Sequence, residues 1–350
     1  LQSTFNNRQA RCISATTASW NRAAVSRAND SPMSVERFQS SGSSRRRLRC
    51  VSDDMRQEAS GEESTRTSRS SREVTYTSLG GNSWKMHFKA SGVTVLTDPW
   101  LVDSLTFGDA PWLYEARKPT SGMGIGMEAA KDADIVLLTQ GLDDHTHCPT
   151  LSLLPRSLPV VASPSAADVA RRLGFLQVVE LRHGDKWQLG DLEMEATEGA
   201  RVGPPWSMRE NGYILREKAS PGGSGVSCYY EPHNDFSESS MRRCSNVDIL
   251  IAPACQVSFG MFPLVKGPAS TAQLVDIFRP SVIIPLLNAE LAEGGIISPA
   301  VNSDSQQGQI ELRRLLTEKS KEGKGSATKV VIMEPPVMGK PHRIRLLSRE

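Results

Sequence analysis

The residues most capable of chemistry lie where an apolar run ends. In 135-IVLLTQGLDDHTHC-148, aliphatic residues give way to Gln140, the carboxylates Asp143 and Asp144, and the imidazoles His145 and His147. Carboxylates and imidazoles gathered at a strand end can hold a divalent ion, yet this stretch reads as a metal site with half its ligands missing. A second polar strand end, 228-CYYEPHND-235, carries Glu231 and His233. A third, 197-TEGARVGPPW-206, sets Arg201 close to two prolines and Trp206. The prolines predict a stiff loop at a pocket mouth, where the planar guanidinium of Arg201 can receive a carboxylate or phosphate. The plainer alternative is that Trp206 only packs the loop.

Other chemistries have less support. The run 122-GMGIGM-127 is glycine-rich, but it lacks the Lys-Ser/Thr of a phosphate loop and reads as a flexible loop over the pocket. No Gly-x-Ser-x-Gly elbow offers a serine nucleophile. The six cysteines form no Cys-x-x-Cys pair, which argues against a zinc knot or a disulfide framework. They read as buried or incidental thiols. His87, His183 and His342 read as structural, and Tyr229, Tyr230 and Phe236 as core residues that can also reach a cavity.

These groups need elements to position them. Short β-rich runs are predicted at 74–78, 83–89 and 93–97, then a buried strand at 135–139. A helix is predicted at 165–173, where Ser163 or Ser165 can cap and Gly174 stops it. Strands at 178–181, 192–197, 213–216 and 227–230 follow. The last third alternates strand 249–252, helix 271–278, strand 282–285, helix 310–319 and strand 329–333. Meanders followed by βαβ units predict an α/β protein with two sheets and helices on the outer faces.

Composition narrows the partners. The 350 residues carry a formal net charge of only +2, so no global basic field points to nucleic acid. No run approaches ~18 apolar residues, and no transmembrane segment is predicted. Hydrophobic content is 38%, and the deficit is concentrated at the front. Residues 1–50 contain nine Arg, no Lys, many Ser and Thr, and only Asp30 and Glu36 as acids. That composition predicts an organelle transit peptide for the chloroplast stroma, with the mitochondrion as the alternative address. A disordered basic tail that binds RNA or a partner is the competing reading. Residues 51–72 are almost without apolar side chains and are expected to remain a disordered linker ahead of a folded domain over 73–348.

In their order, three features resemble the metallo-β-lactamase superfamily. These are the glycine turn 79-LGGNSW-84 before 93-VTVLTDPWL-101, which places Asp98 before Pro99; then 139-TQGLDDH-145; then 228-CYYEPHND-235. The wording is similar to the UlaG-like, plant-plastid and cyanobacterial branch, and the resemblance covers roughly residues 73–347. It implies an αββα four-layer sandwich and one or two metal ions on a Thr-His-x-His-x-Asp-His motif. The two first-site histidines fall on Gln140 and Leu142, and a third near Arg201, so that position is degenerate. A last family histidine would fall near Leu287 or Asn288. Asp144 and His145 match the second-site Asp-His, and the bridging Asp position falls on or beside His233.

The resemblance therefore implies a single Zn, Fe or Mn ion on Asp144, His145 and His233. His147, Glu231, Gln140, Trp206 and Asp98 would surround it, and Asp144 and Arg201 would be catalytic. On that basis the protein is expected to be a mononuclear metal-dependent hydrolase of a small-molecule ester, lactone or phosphodiester. The alternative is a metal-free pseudoenzyme or binding protein, in which Asp144 caps the turn while His145 and His233 hydrogen-bond across the old pocket. Oligomeric state is not legible in the sequence. A fluorescent fusion of residues 1–72 is expected to enter plastids; cytosolic fluorescence would contradict the transit reading.

Overall fold

The computed structural model describes residues 72–118, 126–202, 206–218, 225–286, 291–321 and 330–347. Two seven-stranded sheets face each other. The first runs Pro341–Leu346, Arg72–Ser78, Trp84–Phe88, Val93–Thr97, Ile135–Leu138, Val160–Ala162 and Val178–Glu180. The second runs Val331–Ile332, Val282–Leu286, Ile249–Pro253, Ser227–Tyr230, Arg209–Glu217, Leu192–Arg201 and Lys186–Leu189. Each sheet is antiparallel in one half and parallel in the other.

The central parallel strands are buried on both faces, which is why Ile135–Leu138 and Ile249–Pro253 are unbroken apolar runs rather than alternating ones. Between the sheets lies a core built on Trp84, Met86, Tyr213, Tyr230 and their neighbours. Helices Cys148–Leu153 and Pro164–Arg172 pack on the outer face of the first sheet. Helices Glu238–Met241 and Pro268–Phe278 cover the second. This is the αββα sandwich. Of the two serines the sequence offers as caps, Ser163 serves, its hydroxyl accepting from the N–H of Ala166.

Several elements escape sequence reading. The last strand, Pro341–Leu346, pairs along nearly the whole first strand, but it is short of apolar residues because one face meets solvent. Two small three-stranded sheets stand apart from the main pair. One joins Leu105–Thr106, Glu115–Arg117 and Ala292–Gly294; the other joins Val257–Phe259, Phe262–Val265 and Val301–Ser303. Strands of two to four residues are too brief to show a period. The expected linker also ends sooner than the sequence suggests. Arg72 opens the first strand, and its buried guanidinium pairs with Asp248 at 2.5 Å and donates to Gly225 and Leu347 carbonyls. A partnered charge ties down a residue whose neighbours look like linker. The remainder of 1–71, the 122–125 part of the glycine-rich loop and residues 287–290 lie outside the described residues.

The glycine turn between the first two strands does structural work for the site. Gly80 and Gly81 both hold left-handed φ, at +80° and +57°, and a Cβ at Gly80 would come within 2.5 Å of the Met338 sulfur. Lys118 clamps the turn. Its ammonium donates to the Leu79 carbonyl at 2.7 Å, to the Ser83 hydroxyl at 3.3 Å and to the Trp100 carbonyl, and it lies 4.7 Å over the Trp100 ring. Burial lowers its pKa to about 7. An unfolded lysine titrates near ~10.4. Between those values the unfolded chain holds more protons, so this group makes stability rise with pH. Denaturant titrations from about pH 7 to about pH 10 should show that rise in the native chain and a flatter profile in Lys118→Met; identical slopes would contradict the assignment.

Candidate metal centre

The site forms at the carboxyl ends of the central strands, where open α/β sheets place their ligands. Strand Val93–Thr97 ends in Asp98, which adopts a left-handed φ of +42° and is fully buried. Its carboxylate accepts from the Thr139 N–H at 2.9 Å, the Thr139 hydroxyl at 2.6 Å, the Tyr230 hydroxyl at 3.1 Å and His145 Nδ1 at 2.8 Å. Because a carboxylate only accepts, Nδ1 of His145 carries a proton and Nε2 is turned toward the cavity.

Three side chains meet there. His145 Nε2 is 3.2 Å from Asp144 Oδ2 and 3.3 Å from His233 Nε2, and one ligand atom from each residue lies within 4.8 Å of the others. Atoms about 2.0–2.1 Å from a tetrahedral zinc ion would stand roughly 3.3–3.4 Å apart. The two separations from His145 fit a shared divalent cation, and the Asp98–His145 bond supplies the carboxylate that would hold a ligating imidazole in one tautomer. The second oxygen of Asp144 is buried without a hydrogen-bond partner.

The electrostatics are arranged around one positive charge. Burial opposes charge on His145, but the Asp144 and Asp98 carboxylates outweigh it and push its pKa up to about 10. Burial, reinforced by charged His145, drives His233 down to about 4. Burial works against Asp144, yet His145 holds its carboxyl below the usual range. A protonated His145 can therefore donate between Asp144 and the neutral His233. A metal ion and that proton compete for the same place.

The loop carrying His233 is held by its own polar groups. Glu231 accepts from the N–H groups of His233 at 3.2 Å and Asp235 at 2.9 Å, and burial raises its pKa to about 8. Asn234 adopts φ +53° and donates to the Pro253 and Lys266 carbonyls. Glu231 thus shapes the backbone behind the site rather than facing the cavity.

Of the other sequence candidates, His147, Gln140 and Trp206 lie outside the cavity lining, while Arg201 and the tyrosines lie where the sequence places them. His147 caps the helix Cys148–Leu153, its Nδ1 2.9 Å from the Thr150 hydroxyl, and burial lowers its pKa to about 4. Helix geometry commits that ring before it can reach the trio. Gln140 is fully buried, with neither amide atom hydrogen-bonded and no part in the cavity lining. Trp206 is 81% exposed and absent from the cavity wall; neither packing nor a pocket role holds it. Arg201 lines the cavity, and its backbone N–H donates to Asp235 at 3.1 Å. Tyr229 and Tyr230 are core, though the Tyr230 hydroxyl reaches Asp98.

Sequence reasoning missed Asn82. Its amide nitrogen lies 3.2 Å from Asp144 Oδ2 and 3.3 Å from His145 Nε2, and it lines the same cavity. The signal was present: a polar residue directly after two glycines, in a turn that must approach another backbone.

Comparison with known proteins bears on the fold and the family. No curated protein matches the sequence significantly. Among solved structures, a protein described as a possible metal-dependent hydrolase from Veillonella parvula superposes with a TM-score of 0.53 at 16% identity, over 77% of this chain and 98% of its own. An isothiocyanate hydrolase from Delia radicum gut bacteria gives 0.52 at 17% identity, over 78% and 99%. A diiron β-hydroxylase from Streptomyces venezuelae gives 0.54 at 16% identity, over 79% of this chain and 54% of that one. At such identities the likeness establishes the fold. The sequence profile of the beta-lactamase superfamily domain matches residues 75–287. With more than half of the chain matched and the sandwich in place, the protein belongs to the metallo-β-lactamase-fold superfamily.

Proposed function

We propose that the protein is a hydrolase of a small-molecule ester, lactone or phosphodiester that uses one divalent ion on Asp144, His145 and His233. The observation that carries this reading is the meeting of three ligand atoms at 3.2 and 3.3 Å, with Asp98 fixing the central imidazole. Zinc, iron(II) and manganese(II) all suit two imidazoles and a carboxylate. When bound, such an ion polarises a carbonyl or phosphoryl oxygen and brings the pKa of water toward about 7.

The chain's own groups then divide the remaining tasks. Asp144 and His233 face the substrate cavity, and the Asn82 amide orients Asp144. Arg201 stands on the wall, where its charge favours negative charge developing on substrate oxygen. A second reading, a metal-free binding protein, draws on a different observation: with both ring nitrogens protonated, His145 donates from Nδ1 to Asp98 and places its Nε2–H between Asp144 and His233.

Elemental analysis of the purified full chain after zinc, iron or manganese loading separates the two. About one ion per chain is expected, lost in His145→Ala and in His233→Ala, with affinity about 10–100-fold weaker in Asp98→Asn. Less than about a tenth of an ion per chain, or retention in both histidine variants, would sink the hydrolase reading.

A further inference from the structure

The cavity in front of the trio has a volume of about 560 Å³, within the range of sites that enclose a drug-sized molecule. Its floor includes Asn82, Asp144 and His233, while its walls come from the two small accessory sheets and the segments beside them. The lining includes Trp100, Leu105, Phe107 and Leu291 from or beside the first accessory sheet, and Phe259 and Leu264 from the second. Phe107 and Tyr114 stack with centroids 5.1 Å apart, giving an extended aromatic surface.

The polar groups on these walls are largely committed to one another. Asp235 is held by Lys266 at 2.8 Å and by Arg209 at 3.4 Å, and Glu293 accepts the Tyr114 hydroxyl at 2.9 Å. A phosphodiester entering this space would meet a Lys266 already engaged, and only Arg201 besides it among the cationic lining residues. In the metal-free chain its anionic oxygens would lose water beside the Asp144, Asp235 and Glu293 carboxylates, without a set of cations to replace it. A neutral apolar body loses nothing by the same transfer and gains the burial of its surface.

We propose that this cavity binds a neutral, predominantly apolar molecule, aromatic or branched, whose ester or lactone carbonyl points at the floor. The assignment of the carbonyl end rests on the proposed hydrolase site; the binding of the apolar body does not. Specificity then resides in the accessory sheets, and the two main sheets supply only the reacting groups.

The test compares two ligands with the same body and different charge. Dibenzyl ketone, a neutral carbonyl compound that cannot be hydrolysed, and dibenzyl phosphate are titrated into the chelator-treated full chain, with Trp fluorescence or calorimetry as readout. The ketone is expected to bind at least about tenfold more tightly than the phosphate. Leu264→Asp, at a half-exposed wall position, should weaken ketone binding by about tenfold or more while leaving metal content unchanged. Equal or tighter binding of the phosphate, or no saturable ketone binding, overturns the proposal. Chelation removes the ion from this assay, so a failed metal reading leaves the ketone result intact, and a failed ketone result leaves the metal count intact.

Discussion

A single buried carboxylate organises the site. Asp98 is fully buried in the space between the sheets, and a charge there is tolerated only when its oxygens are supplied with donors. The donors come from three directions: Thr139 at the end of the next strand, Tyr230 from the opposite sheet, and His145 beyond the turn. Satisfying Asp98 therefore draws both sheets and the acidic turn to one point. It costs a left-handed backbone at a non-glycine residue, a strain that the surrounding hydrogen bonds hold in place. The His145 imidazole inherits its orientation from that network.

The same arrangement explains why the centre is polar, buried and still coherent. Asp144 and Asp98 flank His145, and His233 is kept neutral opposite them, so the group as a whole calls for one cation. Either a proton or a divalent ion answers. Glu231 and Asn234, behind His233, fix the loop without entering the cavity. The accessory sheets then add an apolar chamber in front of a polar floor.

Much of the sandwich was legible because buried parallel strands leave continuous apolar runs, as in Ile135–Leu138 and Ile249–Pro253. The turn chemistry was equally plain at Gly80–Gly81 and at the Ser163 cap. Residues 144, 145 and 233 were named through the resemblance to the metallo-β-lactamase superfamily, which lays its second metal position on the acidic turn after Ile135–Leu138 and on the loop after Ser227–Tyr230. What stayed hidden depends on three-dimensional pairing. Pro341–Leu346 has one solvent face and joins a strand more than 260 residues away. The accessory strands are too short for a period, so the cavity they build was invisible. His147 resembled a ligand by composition, and only helix geometry shows it to be a cap. Asn82 was passed over because an amide after two glycines reads first as turn chemistry.

The account stands on two imidazoles and one carboxylate sharing an ion that is backed by Asp98. X-ray absorption at the metal edge of the zinc-loaded full chain tests this most directly. It should show a nitrogen and oxygen shell at about 2.0–2.2 Å, with outer-shell scattering from two imidazole rings. A sulfur shell at about 2.3 Å, or scattering from fewer than two imidazoles, would place the ion elsewhere and contradict it.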